Sequence, residues 1–371
     1  MKKTLDININ YCGMENLNFI QRFTTAYIHI ETHADPNGQI YDPNVGGYCF
    51  GCRSPLCEMN KAEQMRCGFF FLFNTMTGNS ATRRRFDNKP TEMQLLTGYN
   101  CFDEHSCGTD FTVDFLFGYT GYDYRVVTDI ATFKNEIITS IDTGKPVIAK
   151  CAAHNPRFRL LSGYDGDALV CPPFRYDSER TEQPPAYDDI EALYIFGDKI
   201  PRRYTLKDGL ANIRRVMEYN ANEKIWDDYL IKLGGCDRYP SDDGIVTASP
   251  EERRYRADQW GDSCHHNFYI FCSFGGAFGC ERLLNHELHK ELFDPVLSEL
   301  WGEFESQWVL VDAGHITHRF RQEQIWNIED LERIAAMSAD ACDAVATAQK
   351  AEKEMLAVIK QAIEILDKKG E

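Results

Sequence analysis

Behind Asp129, the apolar residues Ile130, Phe133, Ile137 and Ile141 recur every three or four positions, and Gly144 closes the run. That spacing predicts a helix capped by the Asp129 carboxylate and ended by a glycine. Gly144 to Pro173 then reads as three short strands separated by tight turns. Upstream, Tyr11 to Ile30 forms a weaker amphipathic pattern after Asn10, with Met14, Leu17, Gln21, Thr24 and Ile28 on one side. Asp35 to Gly47 is rich in turn formers and reads as a loop. Cys67 to Met76 is an apolar run that belongs inside, although its period does not separate strand from helix. Thr91 to Gly108 is irregular, Asp110 to Tyr119 is helix-compatible, and Gly121 to Val127 reads as a strand.

A polar, proline-rich stretch over 174–190 marks a boundary, beyond which Ala192 to Phe196 is one more strand able to return to the first sheet. From Thr205 the period becomes helical, through Leu210, Ile213, Val216 and Met217. After a loop holding Gly234, Gly235, Pro240 and Pro250, helices are expected over about 264–292 and 292–305. A long closing helix follows from Ser338, with Val345, Ala348, Ala351, Met355, Ile359, Ala362 and Leu366 at helical spacing. The order predicts an α+β domain with an antiparallel sheet over 1–200 and a mostly helical domain over 201–371.

Composition changes this picture little. A net charge of −17 disfavours nucleic acid and anionic membrane as partners. The first ten residues lack the apolar stretch of a signal peptide, and no run reaches the ~18 apolar residues of a membrane span. The fourteen cysteines are therefore expected to be thiols in a cytoplasmic protein. No nucleotide or flavin motif is present, so no organic cofactor is expected; Gly275-Gly276 lacks the lysine and hydroxyl residue of a phosphate loop.

The candidate chemistry centres on one cysteine and one histidine. Cys12 falls in the first turn of the first expected helix, where the positive end of the dipole favours a thiolate. Gly13 would let a carbonyl approach backbone N–H donors. His154, at the entrance to the second strand, could act as base, with Asp165 or Asp167 orienting it. His29 and His33 lie about 20 Å or more along the helix from Cys12 and are poorer partners.

Three segments carry a family resemblance: Asn10-Tyr-Cys-Gly-Met-Glu-Asn-Leu-Asn18, Gly144-Lys-Pro-Val-Ile-Ala149 and Leu160-Leu-Ser-Gly-Tyr-Asp165. Over about residues 8–200 the chain resembles the butirosin-biosynthesis protein H N-terminal family of bacterial proteins, within the papain-like superfamily. The resemblance implies a papain-like fold and acyl transfer through a cysteine thioester at Cys12, with His154 as base and Asp165 as its orienting acid. It also implies a small-molecule substrate and an acyl carrier protein as donor. The pattern departs from the family's peptidase branch at Arg157, in place of the histidine, and at Cys171, in place of the acid before proline. Peptidase activity is therefore not expected. The second function to weigh is that of a catalytically inactive papain-like protein binding a small molecule or peptide.

A third is that of a metal-stabilised structural protein. Cys49, Cys52, Cys57 and Cys67 offer four soft ligands for zinc, opening with a Cys-x2-Cys pair. Cys264, His265, His266, Cys272, Cys280, His286 and His289 form a second collection, better explained by packing around Phe268, Phe271, Phe274 and Phe278. The run Arg83-Arg-Arg85 is expected to be a solvated turn, since three adjacent side chains diverge on any regular element.

Overall fold

The computed structural model describes residues 1–7, 19–34, 61–86, 89–97, 108–152, 158–174, 177–181, 183–233, 245–256, 274, 277–278, 286–312 and 329–370. In order, the elements are β1 (Lys2–Thr4), α1 (Phe19–Ala34), α2 (Lys61–Met76), α3 (Glu92–Thr97), α4 (Asp110–Thr120), β2 (Tyr122–Val127) and α5 (Ile130–Asp142). Strands β3 (Val147–Cys151), β4 (Phe158–Leu161), β5 (Gly163–Asp165), β6 (Ala168–Val170), β7 (Pro173–Phe174), β8 (Asp177–Thr181) and β9 (Ile190–Lys199) follow. The remainder is helical: α6 (Leu206–Asn222), α7 (Ile225–Leu233), a short α8 over 250–256, α9 (Glu287–Leu292), α10 (Pro295–Asp312) and α11 (Leu331–Lys369). The fold class is α+β with antiparallel sheets.

The chain forms two compact units. Unit 1 comprises Met1–Asn74, Thr97–Leu206 and Cys280–Glu291; unit 2 comprises Thr75–Leu96, Lys207–Gly279 and Leu292–Glu371. One crossing, at Leu206, lies beside the expected cut at 200, while 75–96 and 280–291 each join the unit formed mainly by the other half of the chain.

Unit 1 is built on a four-stranded sheet in the order β2-β9-β3-β4. The alternation of β9 divides its side chains between two layers, as a period of two requires. Tyr194 and Phe196 meet Phe19 and Phe23 of α1, with ring centroids 5.2 and 5.3 Å apart. Leu193 and Ile195 pack the other way, with Phe133, Ile137 and Ile141 of α5 and with Val147, Ala149 and Cys151 of β3. Asp129 accepts from the Ala131 N–H as the expected cap. Ile130 of the predicted apolar stripe is half exposed.

On the α1 side, the apolar run before Met76 is helical and supplies Phe69, Phe71, Leu72 and Phe73 to the core. Phe23 lies at the centre, meeting Phe73, Phe117 and Phe196 at 5.0–5.6 Å. A second sheet, β1-β5-β6, pairs Lys2 with Asp165 and Thr4 with Gly163. Gly163 is required there: a Cβ would stand 2.4 Å from the Lys3 carbonyl oxygen.

Unit 2 is helical, and the described residues after Lys199 include no strand. Asp330 caps α11 by accepting from Glu332 and Arg333, and all seven positions predicted to line its apolar face are buried. The arginine run corrects the expectation of a solvated turn. Arg83 is fully enclosed and Arg84 is buried, whereas Arg85 stays outside in an ion pair with Glu223. The cause is a carboxylate inside the unit: Glu352 lies 3.5 Å from the Arg83 Nε. Arg83 also donates to the Ser80 and Thr82 carbonyls, so burial of its charge is compensated.

Candidate functional site

Cys12 and His154 both lie outside the described residues, and so do Arg157, Cys49, Cys52 and Cys57. Cys67 falls within α2. What the structure does give is the meeting of the elements that these two residues precede. Phe19, the first residue of α1, is seven positions after Cys12; Phe158, the first of β4, is four after His154. The two rings touch edge to face at 5.5 Å, both in contact with Tyr194. Arg22, one turn further along α1, directs its Nε to the Phe158 carbonyl at 3.4 Å. Gly108 closes over the same ring: a Cβ there would stand 2.1 Å from Phe158 Cζ. The start of α1 is thus locked to the start of β4 by aromatic packing and a polar contact.

Asp165 is among the described residues. It ends β5, where its carboxylate is half exposed and bonds Lys2 Nζ at 2.8 Å. It lies seven positions after Phe158, a run of at most about 23 Å of extended chain. Asp167 pairs with Lys134 at the surface. Cys171 is a buried thiol in the core beneath α5, among Cys151, Tyr164 and Leu169. Among the described residues, no group of three or more His, Cys, Asp or Glu side chains could hold a metal ion.

A polar network that the sequence did not announce closes the far end of α1. Glu31 accepts from Tyr122 Oη at 2.5 Å and from Lys199 Nζ at 3.0 and 3.1 Å. Tyr122 and Lys199 are partners in the β2–β9 register, so the strand pairing itself forms the clamp. His286 Nε2 stands 3.1 Å from Tyr27 Oη and 3.9 Å from Glu31 Oε2. Its Nδ1 accepts from the Leu288 N–H, which puts the proton of the neutral ring on Nε2. His289, one turn on, packs edge-on against Phe69, and burial together with His286 drives its pKa well below the ordinary histidine value. The pair was visible in sequence as His-x2-His, but its partners Tyr27, Glu31 and Phe69 come from distant helices.

Burial pushes the Glu31 carboxyl up, yet His286, Tyr122 and Lys199 outweigh it and bring its pKa down to about 2. The native carboxyl therefore holds its proton more weakly than the unfolded one. Its contribution is full above about 4.5 and is lost as pH falls toward about 2. After allowance for solvent screening at Lys199, this amounts to about 2 kcal/mol. Urea midpoints measured across that window are expected to fall less steeply in Glu31→Gln than in the parent. Equal acid slopes would remove Glu31 from the clamp.

The network is a fixed negative charge with bound donors, and its chemistry is that of a structural staple. Comparison of the chain with protein-family models, with curated proteins and with solved structures finds no match.

Proposed function

We propose that the protein carries out cysteine-dependent acyl or amide transfer on a small metabolite, within a papain-like unit 1. Cys12 is the nucleophile and His154 the base. One observation carries the proposal: Phe19 and Phe158, the residues at which the chain returns from Cys12 and from His154, pack ring against ring. A nucleophile leading a helix and a base leading a strand need such a junction to work on one carbonyl. The sheet with a helical layer on each face is the second support.

In the proposed reaction His154 takes the Cys12 proton, and the thiolate attacks the acyl carbonyl. The donor's leaving group departs with that proton, leaving a thioester on Cys12. An amine of the acceptor then attacks the thioester, gives its proton to His154 and releases the sulfur as thiolate. An acyl carrier protein thioester is the donor proposed. Asp165 is assigned no step, since its carboxylate is bonded to Lys2.

Alkylation by iodoacetamide, mapped peptide by peptide across pH, tests the proposal. Cys12 is expected to titrate below the ~8.5 of a free thiol, and His154→Ala to return it there. A Cys12 that reacts no faster than a model thiol would leave unit 1 as a binding protein. Zinc retained in stoichiometric amount, and lost in Cys49→Ser, would instead favour the structural role of the cysteine cluster.

A further inference from the structure

The two edges of the four-stranded sheet in unit 1 differ in exposure. At one edge, every residue of β4 is buried. At the other, Asp123 of β2 is exposed, the Arg125 side chain is 51% exposed and Val126 is 48% exposed. No strand among the described residues pairs with the outer side of β2. Its segment, Tyr122-Asp-Tyr-Arg-Val-Val127, holds neither the proline nor the lysine that commonly blunts an edge. The irregularity in its pairing falls on the inner neighbour, where Gly197 and Asp198 of β9 oppose the single residue Asp123. Such an edge presents a row of backbone N–H and C=O groups to an incoming strand.

The charges along β2 select the strand that fits. The Asp123 carboxylate has no ion-pair partner among the described residues, whereas its neighbour Asp198 is paired with Lys145 at 3.7 Å. Arg125 bonds Glu136 of α5 through Nη2, which leaves Nε and Nη1 able to donate. Two copies of β2 meeting antiparallel about a two-fold axis place one residue opposite itself and keep matching faces of the two sheets together. Centred on Asp123, that pairing opposes two carboxylates; centred on Arg125, it opposes two guanidinium groups. Centred on Tyr124, it sets Asp123 of each copy opposite Arg125 of the other, and Val126 opposite Tyr122. Opposite charges across a strand pair stabilise it and like charges destabilise it, so the register on Tyr124 is preferred.

We propose that β2 pairs antiparallel with β2 of a second copy of this chain, centred on Tyr124, so that the two four-stranded sheets become continuous. Arg125 then bridges Glu136 of its own chain and Asp123 of the second copy. The contact consumes the open edge of both copies, and assembly stops at the dimer.

Sedimentation velocity of the full chain across a concentration series tests the proposal. The parent is expected to form dimers and nothing larger, with a Kd of about 10 μM or tighter. Asp123→Arg and Arg125→Asp each set like charges against one another at both ends of the contact, and each is expected to weaken it at least about tenfold. Both positions are exposed, so the circular dichroism spectra are expected to match that of the parent. Mixed in equal amounts, the two variants are expected to form a heterodimer of parent-like affinity, because the basic edge of one faces the acidic edge of the other. A parent that stays monomeric at about 100 μM, single variants that dimerise as the parent does, or a mixture that stays monomeric would each overturn the proposal.

Discussion

Glu352→Ala is expected to destabilise unit 2 by about 3–5 kcal/mol, the range for removing one partner of a buried ion pair. The substitution strands Arg83, whose side chain is wholly enclosed, and takes the acceptor from both Asn220 and Trp226. Burial already lowers the Arg83 pKa, an effect that Glu352 partly offsets, and the guanidinium keeps its charge regardless. Urea unfolding followed by circular dichroism reads the loss directly. A companion, Arg83→Met with Glu352→Leu, is expected to recover most of it, because the uncompensated charge is gone. A loss below about 1 kcal/mol in the single variant would mean that water reaches Arg83 and the pair is not buried in solution.

Phe23→Ala is the counterpart in unit 1 and is expected to cost about 3–5 kcal/mol. The ring is fully buried and stands against Phe19 and Tyr27 on its own helix, Phe73 on α2, Phe117 on α4 and Phe196 on β9. Its removal leaves a cavity bounded by rigid rings that cannot close over it. Phe23→Leu keeps much of the volume and is expected to cost about 1–2 kcal/mol. Comparable losses from Phe23→Leu and Phe23→Ala would place the stabilisation in ring–ring geometry rather than in filled volume.

Local patterns carried most of the element assignments. The Asp129 cap, the glycine-ended α5, the hairpin strands and the apolar stripe of the last helix all depend on neighbours within a few residues. The sequence shows these directly, and the structure agrees except that the stretch read as three strands holds four, because the chain breaks at Ser162 between β4 and β5 and each pairs in a different sheet. The period of the run at 67–76 does not separate strand from helix because the run is apolar on most sides, as befits a helix that supplies five residues to the core. Arg83 shows the limit more sharply. Three adjacent arginines look solvated because residue type says nothing of a carboxylate on a helix far along the chain.

The same limit governs the sites. His286 and His289 announce a helical pair, but Glu31, Tyr122 and Lys199 are joined to it only by tertiary structure. The strand register that brings Tyr122 opposite Lys199 cannot be read from either segment alone. For Cys12 and His154, the sequence supplies the residue types, and the structure supplies the contact between Phe19 and Phe158, the first residues of the elements that follow them in the chain.

The position of β9 between β2 and β3 bears on how the protein comes off the ribosome. Until residues 190–199 emerge, β2 and β3 have no strand between them, and the aromatic layer on α1 lacks Tyr194 and Phe196. Unit 1 also draws 280–291 from beyond the 207–279 stretch of unit 2, and unit 2 draws 75–96 from within the first half of the chain. Neither unit can finish during synthesis of its own first segment. The nascent chain must therefore carry exposed apolar surface for most of its length, which favours slow translation-coupled folding and a chaperone's attention over domain-by-domain completion.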